Sequence, residues 1–363
     1  MIYFLIGTKA QLIKMFPLML QLTEGGVQFR YIDSVQHGPL CARLRKTLKL
    51  PEPDHLLAPA DTQVEGIGHA IRWFLGVLWR GFSRRETLFP EKGIVLVHGD
   101  TLSTLLGLIL GHLGGNHVCH VEAGERTHKL FFPFPEEIIR RIVDRRSDLL
   151  LACGDRQFQN LQLAGIRKKI INLGNNTLFD AVLAVAESGN LPGATQVNDS
   201  NKPAIMVSIH RFETISSRTR MAFLVETLEL LCRTDRVILG LHPPSRHKLT
   251  SFGFMPRLEQ LQNLHLRELF DYPDFIKTMN SSKFILTDGG GPQEESFFLG
   301  IPCLLLRSET ERTHPNVFMA EWSLEKVEWF NMHCNQFRRL PLPKSASPSA
   351  QAVAAIVAYA AEN

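Results

Sequence analysis

The sequence predicts an α/β protein of two Rossmann-like domains, each built on a parallel sheet, facing one another across a ligand cleft. Three observations point there. Short apolar runs alternate with longer periodic stretches, the pattern of βαβ units. The short runs are nearly continuous in Val, Ile and Leu, as expected of strands covered on both faces. At 363 residues the chain also exceeds the size at which one hydrophobic core stops growing.

Taken in order, strands are expected over 2–6, 94–98, 118–122 and 149–153, and then over 204–209, 237–242, 284–287 and 302–306. Helices are expected between them, over 10–22, 102–113, 136–146, 218–232 and 292–299. The stretch 188–203 is rich in Gly, Asn, Ser and Pro and reads as a linker. It separates a first domain, 1–187, from a second, 204–345. A Pro/Ser-rich stretch, 341–349, precedes an Ala-rich helix, so that 346–363 is expected to pack back on the first domain. The segment 64–85 carries Trp73, Phe74, Leu75, Val77, Leu78, Trp79 and Phe82, flanked by Arg72, Arg80, Arg84 and Arg85. Its apolar face is too wide for a simple surface helix. A buried or dimer-forming helix is one reading, and a basic amphipathic helix lying on a membrane is the other.

The net charge of +4 is too small and diffuse to suggest a nucleic-acid partner, although it suits an anionic small molecule. The six cysteines are scattered without a CxxC pair, which argues against a disulfide framework or a zinc site and fits a reducing compartment. The apolar run at 2–6 is too short for a signal sequence, and no stretch approaches the roughly 20 apolar residues that span a bilayer. A cytoplasmic location is the expectation.

Polar groups cluster where strands should end, and in open α/β sheets the ligand crevice lies there. His98-Gly99-Asp100-Thr101 follows one strand, with Asp100 either facing the cleft or, with Thr101, merely capping the next helix. In His120-Val121-Glu122-Ala123-Gly124, alternation puts His120 and Glu122 on one face. A carboxylate in so apolar a strand is costly unless it meets a cleft or a partner. Pro135-Glu136-Glu137 opens a helix, and Glu136 is spaced for an i,i+4 ion pair with Arg140.

In the second half, Asp288 precedes Gly289, Gly290 and Gly291. Pro292 then opens a helix whose first N–H groups make an anion site. Glu295 is expected in that first turn, within reach of ribose hydroxyls. His210-Arg211 and His242 follow two other strands of this half and suit phosphate contact. Gly66-Ile67-Gly68 lacks a preceding strand and a third glycine, so it is no dinucleotide fingerprint. His112, His117 and His120 follow no metal-ligand pattern.

Taken together and in this order, these motifs resemble the UDP-N-acetylglucosamine 2-epimerase family, which has the two-domain GT-B fold. The likeness runs from Gly7-Thr8-Lys9 to Thr310-Glu311-Arg312. It implies catalytic carboxylates at Asp100, Glu122 and Glu136, with His210 near the leaving UDP. It implies diphosphate contacts from Gly289, Gly290 and Gly291 and ribose contacts from Glu295. Lys14 matches the family's lysine of the first loop, and Lys9, Arg140, Arg211, His242, Phe275 and Arg312 complete the UDP-sugar-binding set. The resemblance further implies a homodimer and a place in polysaccharide biosynthesis. Three positions depart from the family pattern. Lys9 stands for an arginine, Gly289 for a serine and Glu125 for a leucine, so a bidentate fork and a hydroxyl donor are lost.

The implied reaction removes UDP from C1 and a proton from C2 of a UDP-HexNAc, then re-adds UDP after reprotonation from the opposite face. It needs a stabilised diphosphate and a base, but no metal or redox cofactor. A hydrolytic variant would release free sugar and UDP. Two other functions use the same residues: a GT-B glycosyltransferase passing the sugar to an acceptor, and a silent nucleotide-sugar-binding protein.

Overall fold

The computed structural model describes residues 1–127, 134–187, 203–268, 270–310, 314–343 and 347–363. The chain divides into two compact units, Met1–Ala181 with Lys344–Asn363, and Val182–Pro343. All but the last residue of the expected linker, 188–203, falls outside the described residues.

Unit 1 carries the strands β1 (Ile2–Ile6), β2 (Phe29–Asp33), β3 (His55–Leu56), β4 (Ile94–His98), β5 (His117–Ala123), β6 (Leu149–Ala152) and β7 (Lys169–Asn172). They pair in parallel in the order β3-β2-β1-β4-β5-β6-β7. Strands β1 and β4 are buried along their whole length, which is why both read as unbroken apolar runs. The helix Leu102–Leu113 covers this centre, burying Leu106, Leu108 and Leu110. Each such side chain contributes roughly 1.5–3 kcal/mol of transfer free energy. The helix Pro348–Glu362 packs against the helix Lys9–Glu24, and Ser349 N donates to Asp180 Oδ2 at 2.7 Å.

Unit 2 carries β8 (Ile205–Ser208), β9 (Val237–Leu241), β10 (Leu264–Glu268), β11 (Ile285–Thr287), β12 (Cys303–Leu305) and β13 (Val317–Met319), all parallel, in the order β10-β9-β8-β11-β12-β13. The strand order reverses between β1 and β4 in one unit and between β8 and β11 in the other. In this topology, ligands bind at such reversals, beyond the carboxyl ends of the strands.

Five of these strands carry no clear apolar run: β2, β3, β7, β10 and β13. Four of them are sheet edges, where one side is left to solvent. The half-exposed Leu264–Glu268, with its His and Arg, is typical.

The segment 64–85 forms the helix Ile67–Ser83. Trp73, Val77 and Gly81 are buried, whereas Ile67, Ile71, Leu75 and Trp79 form an exposed stripe, with Trp79 69% exposed. The helix is thus not buried all round. Among the described residues no helix is long and apolar enough to cross a membrane.

Candidate active site

The chain leaving β1 turns at Gly7 into the helix Lys9–Glu24, whose N-cap Thr8 and third residue Gln11 form a reciprocal capping box. Gln11 also reaches the β4 turn, donating to His98 O at 2.8 Å and Thr104 Oγ1 at 3.0 Å. Two adjacent strand ends are thereby held together. Lys14 lies in the second turn of this helix rather than in the loop before it, while Lys9 stands half-buried in the first turn.

After β4, Gly99 takes φ +67°, a conformation that costs an L side chain but not glycine. It turns the chain so that Thr101 caps the helix Leu102–Leu113 and Asp100 is left for other work. Asp100 Oδ2 pairs with Arg140 Nη2 at 2.5 Å. The i,i+4 pair expected between Glu136 and Arg140 is therefore replaced by one that crosses to another element. Arg140 also lies in the field of Glu125 and Glu122. Burial opposes its charge, but the three carboxylates outweigh burial and hold the guanidinium ionised more firmly than usual.

Glu122 sits near the end of β5, where the register with β6 shifts between Val121 and Ala123. Its own φ is +68°, an uncommon value for a residue with a side chain. Such bulges re-aim side chains beside functional sites, so simple alternation with His120 ends here. Glu122 Oε1 accepts from Lys14 Nζ at 2.5 Å and from Asn176 Nδ2 at 2.6 Å. Its Oε2 lies 3.4 Å from His98 Nε2. His98 is buried, and desolvation pushes its imidazole down to about 3, so the ring is neutral beside the carboxylate.

His120 faces a different task. Its Nδ1 lies 2.7 Å from Asp144 Oδ1 and its Nε2 lies 2.9 Å from Gly99 O, while Arg126 Nη1 donates to Asp144 Oδ2 at 2.6 Å. Burial works against the Asp144 carboxylate, but His120 and Arg126 hold it below the usual range. This buried brace fixes the turn that presents Asp100.

The structure brings Lys14, Asp100, Glu122 and Arg140 together, with His98 and Asn176. Asn176 escaped the sequence reading, although the Gly174-Asn175-Asn176 turn after β7 was its visible signal. Glu136 opens the helix Glu136–Arg146 one turn before Arg140. Its Oε2 is buried without a hydrogen-bond partner among the described residues. The neighbouring Glu137 is fully buried and accepts from Thr127 N, Thr127 Oγ1 and Arg141 Nε, so it is a structural anchor.

In unit 2, His210 and Arg211 follow β8, and their backbone N–H groups donate to Asp288 at 3.1 and 3.0 Å. The His210 and His242 rings lie 5.0 Å apart, and His242 Nε2 is 3.3 Å from Ser208 Oγ. Arg211 is engaged by Glu213, at 3.2 and 3.3 Å. The glycine turn ends earlier than the sequence suggests. The helix runs Gly290–Leu299, so Pro292 is its third residue and Glu295 lies in the second turn. Glu295 is buried beside Tyr272, whose hydroxyl is pushed up by burial and then by that carboxylate. Thr310 Oγ1 contacts Gln293 Oε1 at 3.0 Å, tying the loop beyond β12 to the same helix. Phe275, half-buried, packs edge-on to Phe270. Arg312 lies outside the described residues.

Residues 22–320 match the family model for UDP-N-acetylglucosamine 2-epimerase. A UDP-N-acetylglucosamine 2-epimerase of Methanocaldococcus jannaschii is 26% identical over 370 aligned positions, covering 98% of each chain. A UDP-N-acetylglucosamine 2-epimerase homolog of Methanococcus maripaludis is 32% identical over 230 positions, 62% of this chain and only 63% of that one. The solved UDP-GlcNAc 2-epimerase of Neisseria meningitidis, bound to UDP-GlcNAc, superposes with a TM-score of 0.79 at 25% identity over the full length of both chains.

Proposed function

From the premise that the chain belongs to the UDP-N-acetylglucosamine 2-epimerase family, we propose that it inverts C2 of a UDP-N-acetylhexosamine by eliminating and re-adding UDP. The observation that carries this reading is the pairing of two carboxylates with two cations at adjacent strand ends, Glu122 with Lys14 and Asp100 with Arg140.

The C2 proton of such a sugar is not next to a carbonyl. It becomes acidic only as the C1–O bond to UDP breaks and the ring gains oxocarbenium character. A carboxylate takes the C2 proton while UDP departs with the bonding pair, leaving a C1=C2 double bond. Protonation at C2 from the opposite face and return of UDP to C1 complete the inversion. Glu122 and Asp100, each paired with its own cation, are suited to exchange these protons. Glu136, with a buried oxygen that has no hydrogen-bond partner among the described residues, is the third carboxylate of the proposed set. Lys9 is assigned a phosphate contact beside them.

The UDP moiety is assigned to unit 2. His210, Arg211, His242 and the Gly289–Gly291 turn take the diphosphate, Glu295 the ribose, and Phe275 and Arg312 the remainder of the nucleotide. The exposed stripe of the helix Ile67–Ser83 is assigned to a homodimer contact. The family match supports epimerisation over transfer of the sugar to an acceptor.

Incubation with UDP-GlcNAc in deuterated water tests the reading. Solvent deuterium at C2 of both epimers is expected. Free sugar together with UDP would identify the hydrolytic mode, and transfer only to an added acceptor, without exchange, would overturn epimerisation.

A further inference from the structure

The helix Gly290–Leu299 begins at an N-cap glycine, Gly289, with φ −89° and ψ 143°. That backbone is extended and open to any L residue. An N-cap is also where Ser, Thr, Asp or Asn is preferred, because a side-chain oxygen accepts from the first-turn N–H groups. Nothing in the local backbone calls for glycine here, and the space a side chain would take is filled by neighbouring side chains. A Cβ at position 289 would stand 2.5 Å from His210 Cε1, 3.1 Å from His210 Nε2 and 3.1 Å from Pro292 Cδ, so the histidine ring makes the tightest contact. At Gly291, by contrast, the corresponding space is open.

The His210 side chain is 38% exposed, so a residue with a side chain at 289 would turn its ring outward toward solvent. The backbone of His210 and that of Arg211 are tied to the buried Asp288, and the His210 ring lies 5.0 Å from His242. We propose that Gly289 is a positioning residue for His210. The missing side chain seats the imidazole against the start of the helix, where ring and helix N–H groups address the same phosphate. The proposal rests on the reading above for His210's task toward UDP. It has an unusual consequence: a serine at 289 supplies both a cap and a hydroxyl donor, and yet is expected to weaken UDP binding, because it displaces the ring.

The test is a double-mutant cycle in the full chain with Gly289→Ser, His210→Ala and the double variant, reading UDP affinity by calorimetry. Gly289→Ser alone is expected to lower affinity about tenfold. In the His210→Ala background the same change is expected to cost less than twofold. Equal losses in both backgrounds, or tighter UDP binding by Gly289→Ser, would overturn the proposal.

A second readout needs no ligand. The His210 ring proton resonances are expected to move in Gly289→Ser and to stay in place in Gly291→Ser. A parent protein that binds no UDP would sink the functional reading, while the ring resonances would still decide the placement of His210. Resonances unmoved by Gly289→Ser would overturn the inference itself.

Discussion

Lys14 and Glu122, 108 positions apart in sequence, meet at 2.5 Å at the ends of two different strand connections. The capping box after β1 sets the helix that carries Lys14, and the bulge in β5 turns Glu122 toward it. Asn176 closes the same carboxylate oxygen from a third connection. The pair is nearly buried, with 16% and 10% of the two side chains exposed, so each partner offsets part of the cost of burying the other.

Removing the cation is therefore expected to cost more than a surface contact would. Lys14→Met leaves Glu122 with Asn176 and the neutral His98. The expected outcome is a fall in kcat of about a hundredfold, equivalent to about 2.7 kcal/mol. UDP affinity is expected to stay within twofold of the parent. Steady-state kinetics with UDP-GlcNAc and calorimetry with UDP measure the two quantities. A loss confined to UDP affinity would remove Lys14 from the acid–base group.

Burial of His98 makes stability depend on pH. Its folded pKa, about 3, lies below the ordinary value of 6.5. Between those values the unfolded chain binds the extra proton. The His98 contribution is thus fully present above pH 6.5 and is lost as pH falls toward 3. The slope approaches about 1.4 kcal/mol per pH unit, or about 2 kcal/mol between pH 7 and pH 5. Urea unfolding at the two pH values, in the parent and in His98→Gln, measures it. The variant is expected to show a shallower fall, and identical slopes would assign the dependence to other groups.

The sequence carried the central strands and their polar ends because burial on both faces leaves unbroken Val, Ile and Leu runs. The edge strands lacked that signature, having one side in solvent. At the candidate site, Glu122 was legible because a carboxylate in an apolar strand is costly without a partner, and Asp100 because it stands at a strand tip after a glycine turn. The partners themselves were not. Whether Arg140 reaches Glu136 on its own helix or Asp100 across the sheet depends on packing that helical spacing does not encode. Asn176 and the Asp144–His120 brace are long-range contacts of the same kind, and the shifted start of the helix at Gly290 follows from a turn with three consecutive glycines.

The exposed stripe on the helix Ile67–Ser83 supplies a further expectation. Leu75 and Trp79 are 59% and 69% exposed, one helical turn apart. Such a stripe is more than scattered surface apolar residues, and a contact face is expected there. The parent is expected to scatter light as a dimer at micromolar concentration. Trp79→Glu is expected to shift it toward monomer without changing its circular dichroism spectrum. A parent that remains a stable monomer would count against the dimer, and binding to anionic vesicles would then favour the membrane reading of the same face.

The acid–base assignment makes the sharpest distinction between the two units. Glu122→Gln and Asp100→Asn keep the shape of each side chain but cannot exchange a proton, so turnover is expected to disappear while UDP affinity stays within about threefold of the parent. His210→Ala removes a group assigned to the departing diphosphate, so affinity and rate are expected to fall together, each by at least tenfold. Deuterium incorporation at C2 separates the cases further. In the carboxylate variants it is expected to fall along with epimer formation, because the base that would wash the proton out is the group removed. In His210→Ala, exchange and epimerisation are expected to slow in parallel, since both wait on the C1–O bond. Carboxylate variants that still incorporate deuterium at the parent rate would show that another group moves the C2 proton. Glu136, whose buried oxygen has no hydrogen-bond partner among the described residues, would then be the next to substitute.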